Sequence, residues 1–240
     1  GESGLAARMF TPIAALHKGE ILINGKGSIL SRPLKMIEVS LAELGVDITT
    51  NNGFLPIRIK GPMKGGDVYT DGSLSSQFIS GLLMALPVVQ KDSVIFVENL
   101  VSKPYVDLTI KILHKFGIEI QNHGYEKFEI AGRQKYIASD FTVEGDWSGA
   151  AFLLIMGAIG GEAEVKNLDI YSAQADKAII DVISKTGANV NISDDSIIVS
   201  RRELHGFCYD ISDCPDLAPP LVVLALACKG KSIITGTNRL

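Results

Sequence analysis

The chain has 240 residues, 46% of them apolar and 21% charged, with a net charge of −4. This is length enough for one large or two ordinary domains with a sizeable core, and the charge balance argues against a general nucleic-acid binder. The densest apolar stretches, FISGLLMALPVV and LAPPLVVLALAC, are broken by Gly or Pro and fall short of the ~18–20 residues of a membrane span.

No secretory leader is read at the start. Cys208, Cys214 and Cys228 contain no CxxC pair, so they read as reduced cytosolic thiols with no disulfide or zinc framework. Cys214, in a polar loop ahead of a helix, reads either as an incidental cysteine or as a somewhat reactive thiol. His17, His114, His123 and His205 have no ligand spacing, and no metal is expected.

In chain order, Ser3-Gly4 opens a helix, GLAARMFTPIAALHKG, followed by a strand, EILING. Arg32-Pro33 opens a second helix that ends at Gly45, and two strands flank the turn NNG. The stretch DGSLSSQF then reads as a turn and a helix start at Ser75 and Ser76, leading through SQFISGLLMALPVVQKD to the strand SVIFVENL. Ser102-Lys103 opens a helix ending at Gly117, with strands around NHG. FTVEG reads as a strand, Ser148-Gly149 as the start of GAAFLLIMGAIGG, and AEVKNL as a strand. Gln174 opens a helix ending at Gly187, with strands around SDD; Asp216 caps DLAPPLVVLALACKG, and SIITGT closes the series.

The helices beginning at Arg32, Lys103 and Gln174 recur every 71 residues or so, each followed by a hairpin. The repeating unit is therefore strand–helix–strand–helix–strand–strand, with about two and a half copies. The small-residue helices are apolar nearly all round, which predicts burial. Equivalent helix starts in a repeat tend to lie on one side, where their N–H groups and partial positive charge suit a polyanion.

Ser75, Ser76, Gln77, Ser102 and Tyr105 form a hydroxyl-rich set at two such starts, suited to a phosphate and a hydroxylated ring. Capping and turn roles are the structural alternative. Arg32 supplies a bidentate partner for carboxylate or phosphate. Gly4 permits close backbone approach, and Arg8, one turn on, either supports the same anion or pairs with a carboxylate. Lys103 adds positive charge. Asp216 is either an ordinary cap or a carboxylate placed for acid–base work; Asp213 reads as a loop residue.

DGSLSSQF, LVSKPYVDLT, VEGDWSGA and CPDLAPP, in this order, resemble the 5-enolpyruvylshikimate-3-phosphate synthase family over the whole chain. The resemblance implies an α/β fold, an inside-out α/β barrel of repeated βαβαββ units, here incomplete. Residues 1–143 would be the larger part of the shikimate-phosphate-binding domain and 144–240 the first part of a second domain. By resemblance, Ser75, Ser76 and Ser102 bind the phosphate of shikimate-3-phosphate, and Tyr105 lies near the ring. Gln77 contacts both ligands, Gly4 and Arg32 bind phosphoenolpyruvate, and Asp216 is the acid–base group that also holds the shikimate hydroxyls. No metal or organic cofactor, nucleic acid or membrane is implied, and the full-length protein is expected to be a cytoplasmic monomer.

The sequence departs from the family pattern in places. Leu5 stands where Thr is frequent, and the family's Lys-Glu-Ser/Thr-Asp-Arg stretch and its first-unit and C-terminal basic contacts are not in these 240 residues. The expectation is weak binding without turnover by these residues alone, with Asn238 or Arg239 bordering the site. Two alternatives stand beside this reading. One is the related UDP-N-acetylglucosamine enolpyruvyl transferase, whose mobile Pro-Gly-Cys-type loop is not seen here. The other is a non-catalytic anion-binding domain.

Overall fold

A computed structural model describes residues 1–73, 75–193 and 195–238. Leu74, inside the serine stretch, and Arg239 lie outside the described residues. The chain divides into two compact units, Gly1–Ser139 and Asp140–Leu240.

The first unit runs α1 (Gly4–Ala14), β1 (Glu20–Ile23), α2 (Lys35–Glu43), β2 (Asp47–Asn51), β3 (Phe54–Lys60), β4 (Asp67–Asp71), α3 (Gln77–Ala85), β5 (Ser93–Glu98), α4 (Lys103–Lys115), β6 (Gln121–His123) and β7 (Lys127–Ile130). Strands β1-β3-β2 form one sheet, antiparallel throughout. The second sheet has the order β4-β5-β7-β6, with β4 and β5 parallel and the other pairs antiparallel. The period-2 pattern of β3 decides its faces: Leu55, Ile57 and Ile59 are buried while Pro56, Arg58 and Lys60 are exposed. Helix α3 contributes Phe78, Ile79, Leu82 and Leu83 to the same core. It packs closely on α1 at Gly81, where a Cβ would stand 2.5 Å from the Met9 carbonyl oxygen.

The second unit runs α5 (Trp147–Gly160), β8 (Glu162–Lys166), α6 (Ile179–Thr186), β9 (Asn189–Ile192), β10 (Ser196–Ser200), β11 (Cys208–Asp210), α7 (Ala218–Ala227) and β12 (Ile233–Thr235). Strands β8-β10-β9 form an antiparallel sheet, and β11 pairs with β12 in parallel. Trp147, Leu154, Ile183, Ile197, Leu221 and Leu224 are at the centre of its own core. The Trp147 indole N–H donates to the Asp169 carbonyl at 3.1 Å. No helix among the described residues is long and apolar enough to cross a membrane.

The repeat is visible in sheet order. The β4-to-β7 sheet is a complete copy. The orders β1-β3-β2 and β8-β10-β9 reproduce it without the opening strand, and β11-α7-β12 is the first half of a further copy. The copy number therefore exceeds the two and a half expected. Gly45, Gly117 and Gly187 end α2, α4 and α6 at φ 77°, 78° and 97°, left-handed conformations that a Cβ would strain.

Two expectations are corrected. FTVEG is not a strand; the stretch is fastened by the Gly145 N–H donating to Asn167 O at 2.9 Å. Each copy keeps its own sheet of two to four strands, and no closed barrel is formed among the described residues. Burial all round holds for α3 but not for α1, α5 and α7, which leave Leu5, Phe10, Phe152, Leu153, Met156, Val222, Val223 and Leu226 roughly half or more exposed. Apolar composition marks these helices as core elements, but within their own unit only one flank is covered.

Candidate functional site

Two helix starts in the first unit sit side by side at the carboxyl ends of the parallel strands β4 and β5, the end at which open α/β sheets bind ligands. The link is local. Gly72 N–H donates to Glu98 O at 2.8 Å and Val101 N–H to Gly72 O at 3.4 Å. A Cβ on Gly72 would meet the Leu100 Cα at 2.9 Å, so the two loops lie in direct contact.

Ser75 and Ser76 are buried just ahead of α3, where the Ser75 hydroxyl accepts the Gln77 N–H at 3.1 Å. The Ser76 side chain makes no capping hydrogen bond. At the start of α4, Ser102 is buried with φ 54° and ψ 43°, a left-handed conformation unusual for a non-glycine N-cap. Asn99 in the same loop has φ 53°. Tyr105 is half-buried in the first turn of α4. Below the serines, Ser80 Oγ lies 2.8 Å from Thr109 Oγ1, joining α3 to α4. Asp71, at the end of β4, accepts from the Ser73 hydroxyl and N–H at 2.7 and 2.9 Å, and these bonds hold its carboxyl below the usual range.

A cationic pole stands at the start of α1. An ideal Cβ on Gly4 would lie 2.9 Å from Arg8 Nη1 and 3.2 Å from Arg32 Nη1, so the bare glycine faces both guanidinium groups. Arg8 is 8% exposed, and its Nη1 donates to Gln77 Oε1 at 3.2 Å, tying this pole to the start of α3. Burial, and secondarily the Arg32 charge, lower the Arg8 pKa. Neither arginine forms an ion pair among the described residues. Such an arrangement can take a carboxylate or phosphate through charge-assisted, bidentate hydrogen bonds.

The structure thus brings together Gly4, Arg8, Arg32 and Gln77, with Ser75 and Ser76 beside Gln77 in the chain and Ser102 and Tyr105 on the neighbouring helix start. Arg32 is not at a helix start: α2 begins at Lys35, and Arg32 instead closes the 3-10 turn Gly27–Ser31, in the extended conformation that a following Pro imposes. The Lys103 ammonium lies 5.1 Å from the centre of the Tyr125 ring, where it is engaged in a cation–π contact. Arg8 was legible only as a support. Its burial and its bond to Gln77 depend on how α1 crosses α3, for which a basic residue inside an apolar helix is the sole sequence signal.

In the second unit, Asp216 is exposed within the 3-10 turn Pro215–Leu217. It does not cap α7, whose N-cap is Leu217. Equivalent helix starts differ here. The start of α5 is capped by Asp146, which accepts from Ser148 and Gly149 N–H at 3.0 and 3.1 Å. Gln174 clamps that start, accepting from Trp147 N–H and donating to Gly145 O, each at 2.9 Å. A helix start occupied by its own carboxylate offers nothing to an anion, so of these two only the α3 start keeps the expected character. Cys214 is buried, with its thiol pushed up to about 11 by burial, which favours the incidental reading over the reactive one.

A family model described as EPSP synthase (3-phosphoshikimate 1-carboxyvinyltransferase) matches residues 1–240. The 3-phosphoshikimate 1-carboxyvinyltransferase of Clostridium novyi is 41% identical over 240 residues, covering 100% of this chain and 55% of that protein. The one from Buchnera aphidicola is 39% identical over 239 residues, with 98% and 56% covered. The chain thus spans little more than half the length of these curated relatives. Among solved structures, an EPSP synthase from Acinetobacter baumannii superposes with a TM-score of 0.75 at 23% identity, covering 98% of this chain and 56% of that one. The enolpyruvyl transferase NikO from Streptomyces tendae gives 0.70 at 16% identity, with 93% and 54% covered. At these identities the structural likeness speaks for the fold.

Proposed function

The chain belongs to the EPSP synthase family, and from that premise we propose that it supplies the substrate-gripping part of an enzyme that transfers the enolpyruvyl group of phosphoenolpyruvate to the 5-hydroxyl of shikimate-3-phosphate. The observation that carries this reading is the pairing of a serine-rich double helix start with the Gly4–Arg8–Arg32 pole through the Arg8–Gln77 hydrogen bond. Two anionic substrates that must react need adjacent but separate anion sites.

In this reading Ser75, Ser76 and Ser102 hold the shikimate phosphate with hydroxyls and helix-start N–H groups, and Tyr105 borders the ring. Gly4 and Arg32 receive phosphoenolpyruvate, and Gln77 stands between the two ligands. Asp216 takes the acid–base role and holds shikimate hydroxyls. The 5-hydroxyl oxygen adds to C2 of phosphoenolpyruvate while its C3 gains a proton, giving a tetrahedral ketal phosphate. Loss of a C3 proton and departure of phosphate then form the enol ether. Fixed positive charge contributes where the phosphate leaves. The repeated βαβαββ copies are read as parts of incomplete inside-out α/β barrels. Residues 1–143 are proposed as the larger part of the shikimate-phosphate-binding domain and 144–240 as the first part of the second. Small molecules are the proposed partners, the cytoplasm the proposed compartment, and a monomer the full-length state.

The test is calorimetric titration with shikimate-3-phosphate of the 240-residue chain and of a protein of the relatives' full length, each beside a Ser75→Ala/Ser76→Ala double variant. Saturable binding lost in the variant supports the assignment. Binding unchanged by the double substitution overturns the role of these serines, and no binding even at full length overturns the function.

A further inference from the structure

Arg8 is a costly residue for the fold to hold. It is 8% exposed, its Nε has no hydrogen-bond partner among the described residues, and its guanidinium shares the space over Gly4 with that of Arg32. A buried cation needs compensation, and a like charge beside it raises the cost. Among the described residues its side-chain hydrogen bond goes to a neutral amide, Gln77 Oε1. An arginine has only donors, so the amide must turn its oxygen toward Arg8. The Gln77 Nε2 donor is thereby left for a ligand oxygen.

We propose that Arg8 is a positioning residue: it fixes the orientation of the Gln77 amide and holds uncompensated positive charge behind Arg32, so that the empty site is destabilised and an arriving anion relieves it. The inference rests on the anion-site reading above and deepens it, because Arg8 acts through Gln77 and Arg32 instead of through its own contact with ligand. The local helix packing makes this feasible. Gly81 lets α3 approach the α1 backbone at Met9, the residue after Arg8, and so brings Gln77 within reach.

The sign of the stability change separates this role from a merely structural one. Arg8→Met keeps the length and apolar stem of the side chain and removes the charge. For a positioning residue under electrostatic load, the ligand-free Tm of Arg8→Met rises above wild type, since a buried ionic group replaced by a well-packed apolar one is often neutral or stabilising. The Tm increase produced by phosphoenolpyruvate, and separately by inorganic phosphate, shrinks, with affinity down about tenfold or more. Arg8→Lys keeps the charge but not the fork, and recovers part of the anion response. Gln77→Glu places a carboxylate against Arg8; it raises the ligand-free Tm and abolishes the anion response.

A fall in ligand-free Tm for Arg8→Met, restored by Arg8→Lys, would overturn the proposal and make Arg8 a packing residue. An unchanged anion response in Arg8→Met would overturn it as well. A wild-type chain that responds to neither anion would count against the anion-site reading itself, and the ligand-free Tm of Arg8→Met and Gln77→Glu would still decide whether Arg8 is electrostatically loaded.

Discussion

Gly81 packs against the carbonyl of Met9 with no room for a side chain: a Cβ would fall 2.5 Å from that oxygen. The obstacle is backbone, which cannot swing aside. Gly81→Ala is therefore expected to destabilise the first unit by about 1–3 kcal/mol, although Ala is the better helix former. It should also separate Arg8 from Gln77 and weaken anion binding. Urea unfolding together with a phosphate titration checks both; a neutral or stabilising Ala would refute the close crossing.

Ser80 and Thr109 give an asymmetric pair. The Thr109 hydroxyl donates to Tyr105 O at 2.8 Å, so Ser80 is the donor in the 2.8 Å bond between the two hydroxyls. Ser80→Ala removes one hydrogen bond and leaves Thr109 its carbonyl partner, at about 1 kcal/mol. Thr109→Val strands the Ser80 hydroxyl at 2% exposure and should cost about 1–3 kcal/mol. Equal losses, measured by chemical denaturation, would remove the assigned direction of the bond.

Ser102 holds a left-handed backbone at the start of α4. Replacement by Gly relieves the Cβ penalty and replacement by Ala does not, so Ser102→Gly should be more stable than Ser102→Ala by about 1 kcal/mol. Both lose the hydroxyl, and both are expected to bind shikimate-3-phosphate more weakly than wild type. A Gly variant that matches wild type in calorimetry would show that only the loop shape, and not the hydroxyl, is used.

Cys214 sets a pH limit on the second unit. Burial pushes its thiol from 9.0 up to about 11, against a smaller opposing effect of the Tyr209 hydroxyl. The folded chain therefore favours the neutral thiol. Its contribution is full below pH 9 and is lost as pH rises from about 9 to 11, with an upper figure of ~2–3 kcal/mol. Burial raises the Tyr209 hydroxyl too, with the same sign at higher pH. Stability measured from pH 8 to 11 should decline, less steeply in Cys214→Ala. A thiol reagent at pH 8 should reach the exposed Cys208 well before Cys214. A flat profile would contradict the burial assignment.

What could be read without the structure follows from how local each signal is. The glycines at 45, 117 and 187 announce helix ends because a left-handed residue is a local requirement, and their spacing exposes the repeat. The serines of the two helix starts are legible for the same reason. Other features depend on what packs from elsewhere. FTVEG has the composition of a strand but not the ladder. The all-round apolar pattern of α5 and α7 predicts burial that their own unit does not provide. Arg32 looks like a helix-start residue because Pro33 follows it, yet it closes a 3-10 turn and α2 begins only at Lys35. The pairing of Arg8 with Gln77 spans 69 residues and rests on a helix crossing that no local motif encodes.

The single tryptophan of the chain is Trp147, sealed in the core of the second unit with its indole tied to Asp169. The first unit has none, so ultraviolet emission excited at the indole band speaks for one half of the molecule alone. Set against circular dichroism, which sums over every helix, it resolves the order in which the halves melt, with no extrinsic label and no engineered reporter.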